Sequence, residues 1–225
     1  SIANLAVCAA ERIEGYLSSK VPAIVAFGTG RTLRAAVGQV TAMDRPHHKV
    51  VSLVGNLTRD GRASPYDVVM RLADRVGAQC YPLPTPVVTE TAEARVLLQS
   101  QRPFLTVKEL VSAARIAFVG MSTVGWNAPL HKDGFVTDAE LAELLEHHAV
   151  GEICGWAFDR DGRFVETALG DRLGAVPLSL LPDRAIIAIA GGRTKVPAIA
   201  AALRGGIIAG LITDEPTAQA LLADG

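Results

Sequence analysis

Val21-Pro22-Ala23-Ile24-Val25-Ala26-Phe27, followed by Gly28-Thr29-Gly30-Arg31-Thr32-Leu33, is the stretch whose reading decides the fold. The first half has the length and bounding of a fully buried strand, and the second half is a glycine-interrupted turn entering a helical pattern. Such a junction suits an anion. The first turn of a helix carries N–H groups without intrahelical partners and a partial positive charge. Gly28 and Gly30 let the backbone approach a ligand closely, and Thr29 and Thr32 add hydroxyl donors. A tight strand-to-helix turn capped by Thr29 or Thr32 accounts for the same residues equally well. The dinucleotide fingerprint requires a third glycine where Leu33 stands, and a P-loop requires a Gly-Lys-Ser/Thr that Arg31 does not supply. A small phosphate-bearing ligand is what the loop leaves room for.

Upstream of this stretch, Leu5, Cys8 or Ala9, Ile13 and Leu17 recur at helical spacing, so a helix over Ile2 to Leu17 precedes the strand. The chain enters this helix without a Met or a disordered lead-in, which is what a single domain over residues 1–225, cut from an N-terminal neighbour, would look like.

With 225 residues, 49% hydrophobic and 20% charged, the chain can bury one substantial core. Its net charge of −1 provides no overall basic field for nucleic acid, so contact with DNA would need another part of the protein. Cys8, Cys80 and Cys154 are odd in number and widely spaced, which argues against disulfides or a zinc site, suits a reducing cytoplasm, and reads as three small buried apolar residues. No apolar run approaches a membrane span, and the expectation is a soluble, cytoplasmic chain without metal or cofactor.

Downstream, the alternation repeats. A helix is expected from Arg31 to Met43, then within Lys49 to Leu57 a buried strand that ends in a glycine loop at Gly55-Asn56, and a helix from Ser64 to Gly77 with Ser64 as its cap and Pro65 in its first turn. A short strand from Gln79 to Leu83 is broken by Pro82, Pro84 and Pro86; helices follow at Glu90 to Ser100 and Val107 to Ala114, then a strand over Arg115 to Gly120. Thr137 with Glu140 forms a capping box for a helix to His148. Asp161-Gly162 between two partly apolar runs predicts a hairpin, an antiparallel insertion in an otherwise parallel scheme. Ala185 to Ala190 is a strand, Val196 to Leu203 a helix, Ile207 to Ile212 the last strand, and Thr213-Asp214-Glu215-Pro216 opens the terminal helix.

Alternating buried strands and helices imply an α/β fold, a mostly parallel doubly wound sheet with helices on both faces. The loops after its strands, Gly28 to Thr32, Gly55-Asn56, Gly120 to Ser122 and Gly191 to Lys195, then converge on the carboxyl edge where ligands bind. Among the lysines only Lys195 follows a buried strand into a helix start, where its cation opposes the macrodipole unless an anion compensates. A solvated lysine is the other reading. Glu152, at the start of a strand-like run, is by its residue physics an ordinary edge carboxylate.

The loop Gly28–Leu33, the run Val50–Leu57, the segment Ser64–Ala78 with Leu83-Pro84-Thr85-Pro86, and the block Ala-Gly-Gly-Arg-Thr-Lys to Leu-Ile-Thr-Asp-Glu at 190–215 resemble the sugar-binding domain of SorC-family bacterial transcriptional regulators. The resemblance covers nearly the whole chain. It implies a fold similar to sugar-phosphate isomerases and CoA-transferase-like proteins, a phosphorylated sugar or polyol as effector, a homo-oligomer, and operator DNA bound only through an N-terminal helix-turn-helix outside this chain. By the same resemblance Gly28, Thr29, Gly30, Arg31 and Thr32 hold the phosphate, and Asn56, Glu152 and Lys195 contact the sugar. The alternative is a sugar-phosphate isomerase on the same scaffold, which would need a general base that no loop carboxylate before Asp214 obviously supplies.

Overall fold

The computed structural model describes residues 2–183 and 185–223. Nine strands and nine α-helices are assigned among them. In chain order these are α1 Ile2–Leu17, β1 Ile24–Phe27, α2 Arg31–Gln39, β2 Lys49–Leu57, α3 Val69–Val76, β3 Gln79–Pro86, α4 Ala92–Gln99, α5 Arg102–Ser112, β4 Ile116–Val119, β5 Ser122–Thr123, α6 Pro129–Lys132, α7 Asp138–Glu146, β6 Gly151–Ile153, β7 Trp156–Phe158, β8 Ile186–Ile189, α8 Val196–Arg204, β9 Gly210–Ile212 and α9 Glu215–Ala223.

Six strands form one parallel sheet in the order β3-β2-β1-β4-β8-β9, and β5-β6-β7 form a separate antiparallel sheet. The alternation of side chains along the parallel strands divides the core in two. Val25, Phe27, Val50, Ile116, Phe118 and Ile189 pack against α1, α2 and α3 on one face. Ala26, Val51, Leu53, Ala117, Val119 and Ala188 pack against α5, α7 and α8 on the other. Both faces are therefore covered, as near-continuous apolar strands require.

Several expected elements change, each for a local reason. The helix expected from Ser64 begins only at Val69. The Ser64 hydroxyl instead accepts from the Tyr66 N–H at 3.3 Å to make a turn, and Asp67 accepts from Val69 N at 3.0 Å at the true start. This correction has a functional consequence, because it leaves Tyr66 on a loop. The helix after Gly30 stops at Gln39 rather than Met43, where Thr41 N turns to the Glu14 carboxylate. The strand thought to end at Leu83 continues to Pro86, since β3 lies at the sheet edge where proline is tolerated. The expected hairpin at Asp161-Gly162 supplies only a single bridge between Phe158 and Phe164. The tight hairpin is instead β6–β7, turned by Cys154 and Gly155 with φ of 55° and 86°. Glu152 supports it by accepting from Gly155 N at 2.8 Å. The capping box at Thr137 and Glu140 is present as expected. Of the three cysteines only Cys154 is buried; Cys8 is exposed and Cys80 half-buried.

Candidate functional site

Helix α2 follows β1 to one side of the sheet, while the chain leaving β4 leads toward β8 on the other side, so strands β1 and β4 are neighbours whose following loops diverge. A crevice opens at such a point in any doubly wound sheet. Here the two loops touch before parting: Gly30 and Gly120 approach closely, and a Cβ on Gly120 would stand 2.4 Å from the Thr29 carbonyl oxygen. Glycine at 120 is what permits the contact.

The crevice holds a cavity of about 490 Å³, within the range of small-ligand sites. Thr29, Gly30, Arg31 and Thr32 line one side, and Glu152, Gly191, Gly192 and Lys195 line another. Gly28 and Asn56 do not line it. Gly28 lies beneath the loop, where a Cβ would press on the Cys154 sulfur at 2.8 Å. Gly55 and Asn56 fall inside β2, because that strand runs on to Leu57 paired with β3 through two register shifts, and the Asn56 carbonyl accepts from Ser64 N at 2.7 Å. Gly55-Asn56 therefore does not join the converging loops.

Gly30 enters α2 with φ 137° and no side chain caps the helix, so neither Thr29 nor Thr32 serves as the cap. The first-turn N–H groups, which a helix leaves without intrahelical partners, thus belong to residues that line the cavity. Lys195 stands at the start of α8 and its ammonium donates to the Met121 carbonyl at 2.8 Å. Burial lowers its pKa; Glu152 pulls the value back up and Arg31 lowers it further, so the three charges share one field. Burial raises the Glu152 carboxyl, against the opposing pull of the Gly155 N–H and Lys195. Burial likewise pushes the Cys154 thiol up, with Glu152 adding to the shift, which leaves that sulfur a poor nucleophile.

The lining residues that sequence reasoning did not place in the site include Ser64, Tyr66, Asp133, Phe135 and Asp214. Asp214 carried a usable signal as a carboxylate after a strand; it now accepts from Thr217 N at 3.0 Å beside Gly191. Tyr66 and Asp133 carried none, because they meet Arg31 from 35 and 102 residues away. Among the described residues no group of three or more His, Cys, Asp or Glu is placed to hold a metal ion, and no helix is long and apolar enough to cross a membrane.

A family model described as "Putative sugar-binding domain" matches residues 2–223. The chain is 40% identical over 199 residues to the erythritol catabolism regulatory protein EryD of Brucella abortus, covering 88% of this chain and 63% of that protein. It is 33% identical over 180 residues to the deoxyribonucleoside regulator of Bacillus subtilis, covering 78% and 56%. The chain thus spans somewhat over half the length of these relatives. Among solved structures, the full-length sorbitol operon regulator SorC of Klebsiella pneumoniae shares the fold with a TM-score of 0.88 at 23% identity, over 99% of this chain and 73% of that one. From the match along nearly its whole length and the relatives it aligns with, the chain belongs to the sugar-binding domains of SorC-family transcriptional regulators.

Proposed function

We propose that this domain senses a small phosphorylated sugar or polyol, with the phosphate on the loop Thr29–Thr32 at the start of α2 and the hydroxyls toward Glu152 and Lys195. The uncapped helix start lining the crevice carries this reading, since it offers N–H donors and positive potential in one place. Gly28 contributes indirectly, by letting Cys154 pack under the loop. Asn56, which does not line the cavity, is not among the proposed contacts. Because a relative is named for erythritol catabolism, phosphates of erythritol and related polyols head the candidates.

Binding would be converted into regulation through differential affinity for two subunit arrangements, with operator DNA contacted by a segment outside this chain. The relatives are named as regulators, which supports sensing over catalysis.

A thermal-shift screen of sugar and polyol phosphates against their unphosphorylated parents tests the reading. A ligand at 100 times its dissociation constant adds about 2.7 kcal/mol, or roughly 5–10 °C for a domain of this size. The phosphate should supply most of the shift through charge-assisted hydrogen bonds. Equal shifts from both forms would refute the assignment of the loop.

A further inference from the structure

Residues 124–136 form a strap along the cavity, and one carboxylate of the strap reaches Arg31 at the start of α2. Val124 N is held by the Val150 carbonyl at 3.2 Å at one end, and the capping box at Thr137 fixes the other. Between them Asn127 and Gly134, with φ of 69° and 74°, reverse the chain around α6. Pro129, Leu130 and Phe135 face the cavity. Near the second end, Arg59 Nε, on the same β2–α3 loop as Tyr66, donates to the Phe135 carbonyl at 3.3 Å, the Tyr66 and Phe135 rings lie 5.9 Å apart, and His131 pairs with Asp138 at 2.7 Å. The tie between the strap and the start of α2 is Asp133. Its Oδ2 accepts from Arg31 Nη2 at 2.6 Å and from the Tyr66 hydroxyl at 2.8 Å, and that hydroxyl in turn accepts from Arg31 at 3.2 and 3.3 Å.

Arg31 begins α2, so an anion gathered by that helix start arrives beside the guanidinium that Asp133 already occupies. Two anions would then compete for one fork. Asp133 is poorly placed to win: the Arg31 side chain is 56% exposed, and an exposed ion pair of this kind contributes little. A phosphate has more charge than a carboxylate and gains the first-turn N–H groups as well. A neutral sugar has no charge with which to displace Asp133.

We propose that Asp133 is a built-in stand-in for the effector's anionic group: it holds Arg31 and closes the strap in the ligand-free domain, and an incoming phosphate takes Arg31 from it and frees residues 125–134. This rests on the anion-loop reading above. It makes Asp133 a selectivity residue that screens out uncharged sugars, and it couples occupancy of the cavity to the position of a surface segment carrying Trp126, which is 54% exposed.

The test uses inorganic phosphate at constant ionic strength, titrated into the parent chain and Asp133→Asn, with hydrogen exchange followed at residues 125–134. Asp133→Asn should bind phosphate about 3–5-fold tighter. Phosphate should speed exchange of 125–134 in the parent, and in the variant exchange should already be fast without it. If both chains bind phosphate equally, or the variant binds it more weakly, and exchange in the strap does not respond, the stand-in role is overturned while the anion loop stands. If neither binds phosphate, both the loop and the stand-in role fall.

Discussion

The ammonium of Lys195, on the loop after β8, donates to the carbonyl of Met121, on the loop after β4, at 2.8 Å. One lysine thereby joins the loops of two adjacent strands at the carboxyl edge and holds a positive charge in a place where burial disfavours it. An anion in the cavity would relieve that cost. Lys195→Ala should weaken binding of the phosphorylated effector by about 1.5–3 kcal/mol, the range for hydrogen bonds to charged groups. Lys195→Arg should not restore it, because a planar fork cannot reproduce the geometry of an ammonium. Isothermal titration with the effector found in the phosphate screen decides the matter; undiminished affinity in the alanine variant would remove Lys195 from the site.

Glu152 gives a pH signature in the ligand-free domain. Its carboxyl is raised above the ordinary value of 4.5 chiefly by burial. A group raised in the folded state contributes stability that is complete below its unfolded pKa and is lost as the pH rises through the folded one. Glu152→Gln should therefore raise the melting temperature at neutral pH, with the gain fading as the pH falls through the raised folded pKa and gone below about 4.5. Melting curves from pH 4 to 8 would show a constant difference instead if the carboxyl were solvated.

Glu140 should behave in the opposite sense. Burial pushes its carboxyl up, but the Thr137 N–H, Arg59 and Arg172 outweigh burial and hold it at about 2. Arg59 donates to both oxygens at 2.7 and 2.8 Å, and Arg172 to one of them. Stability from a lowered carboxylate is present above its unfolded pKa and is lost as the pH falls through the folded one, here from about 4.5 toward about 2. Glu140→Gln should cost about 2–3 kcal/mol at pH 7, below the full value of a deeply buried pair because both arginines keep some exposure. Chemical denaturation at pH 7 and pH 3 should show most of that difference gone at the lower pH.

Gly120→Ala tests the close approach of the two loops. The added Cβ would meet the Thr29 carbonyl oxygen at 2.4 Å, a backbone atom that cannot rotate away. The substitution should destabilise the domain by about 1–3 kcal/mol and weaken effector binding further, because the phosphate loop itself must shift. A variant that melts and binds like the parent would show that the loops have slack at this point.

The sequence by itself determined the layer architecture. The apolar runs ending at Phe27, Val119 and Ile189 could only be strands buried on both faces, and the helical patterns between them force parallel crossovers. From that, the convergence of Gly28–Thr32, Gly120–Ser122 and Gly191–Lys195 followed, as did the singling out of Lys195, because strand direction alone fixes which loops share an edge. Strand length was less legible. β2 runs on through Gly55 and Asn56, since pairing with β3, and not local composition, decides where a strand stops. The Cys154–Gly155 turn was hidden because cysteine has no preference for positive φ; the Glu152 carboxylate supports the turn from outside it. Only the tertiary structure decided the rim of the cavity. Arg31, Tyr66 and Asp133 meet through side chains on three distant segments, and the energy that joins them is electrostatic and non-local, with no period or spacing by which a chain could announce it.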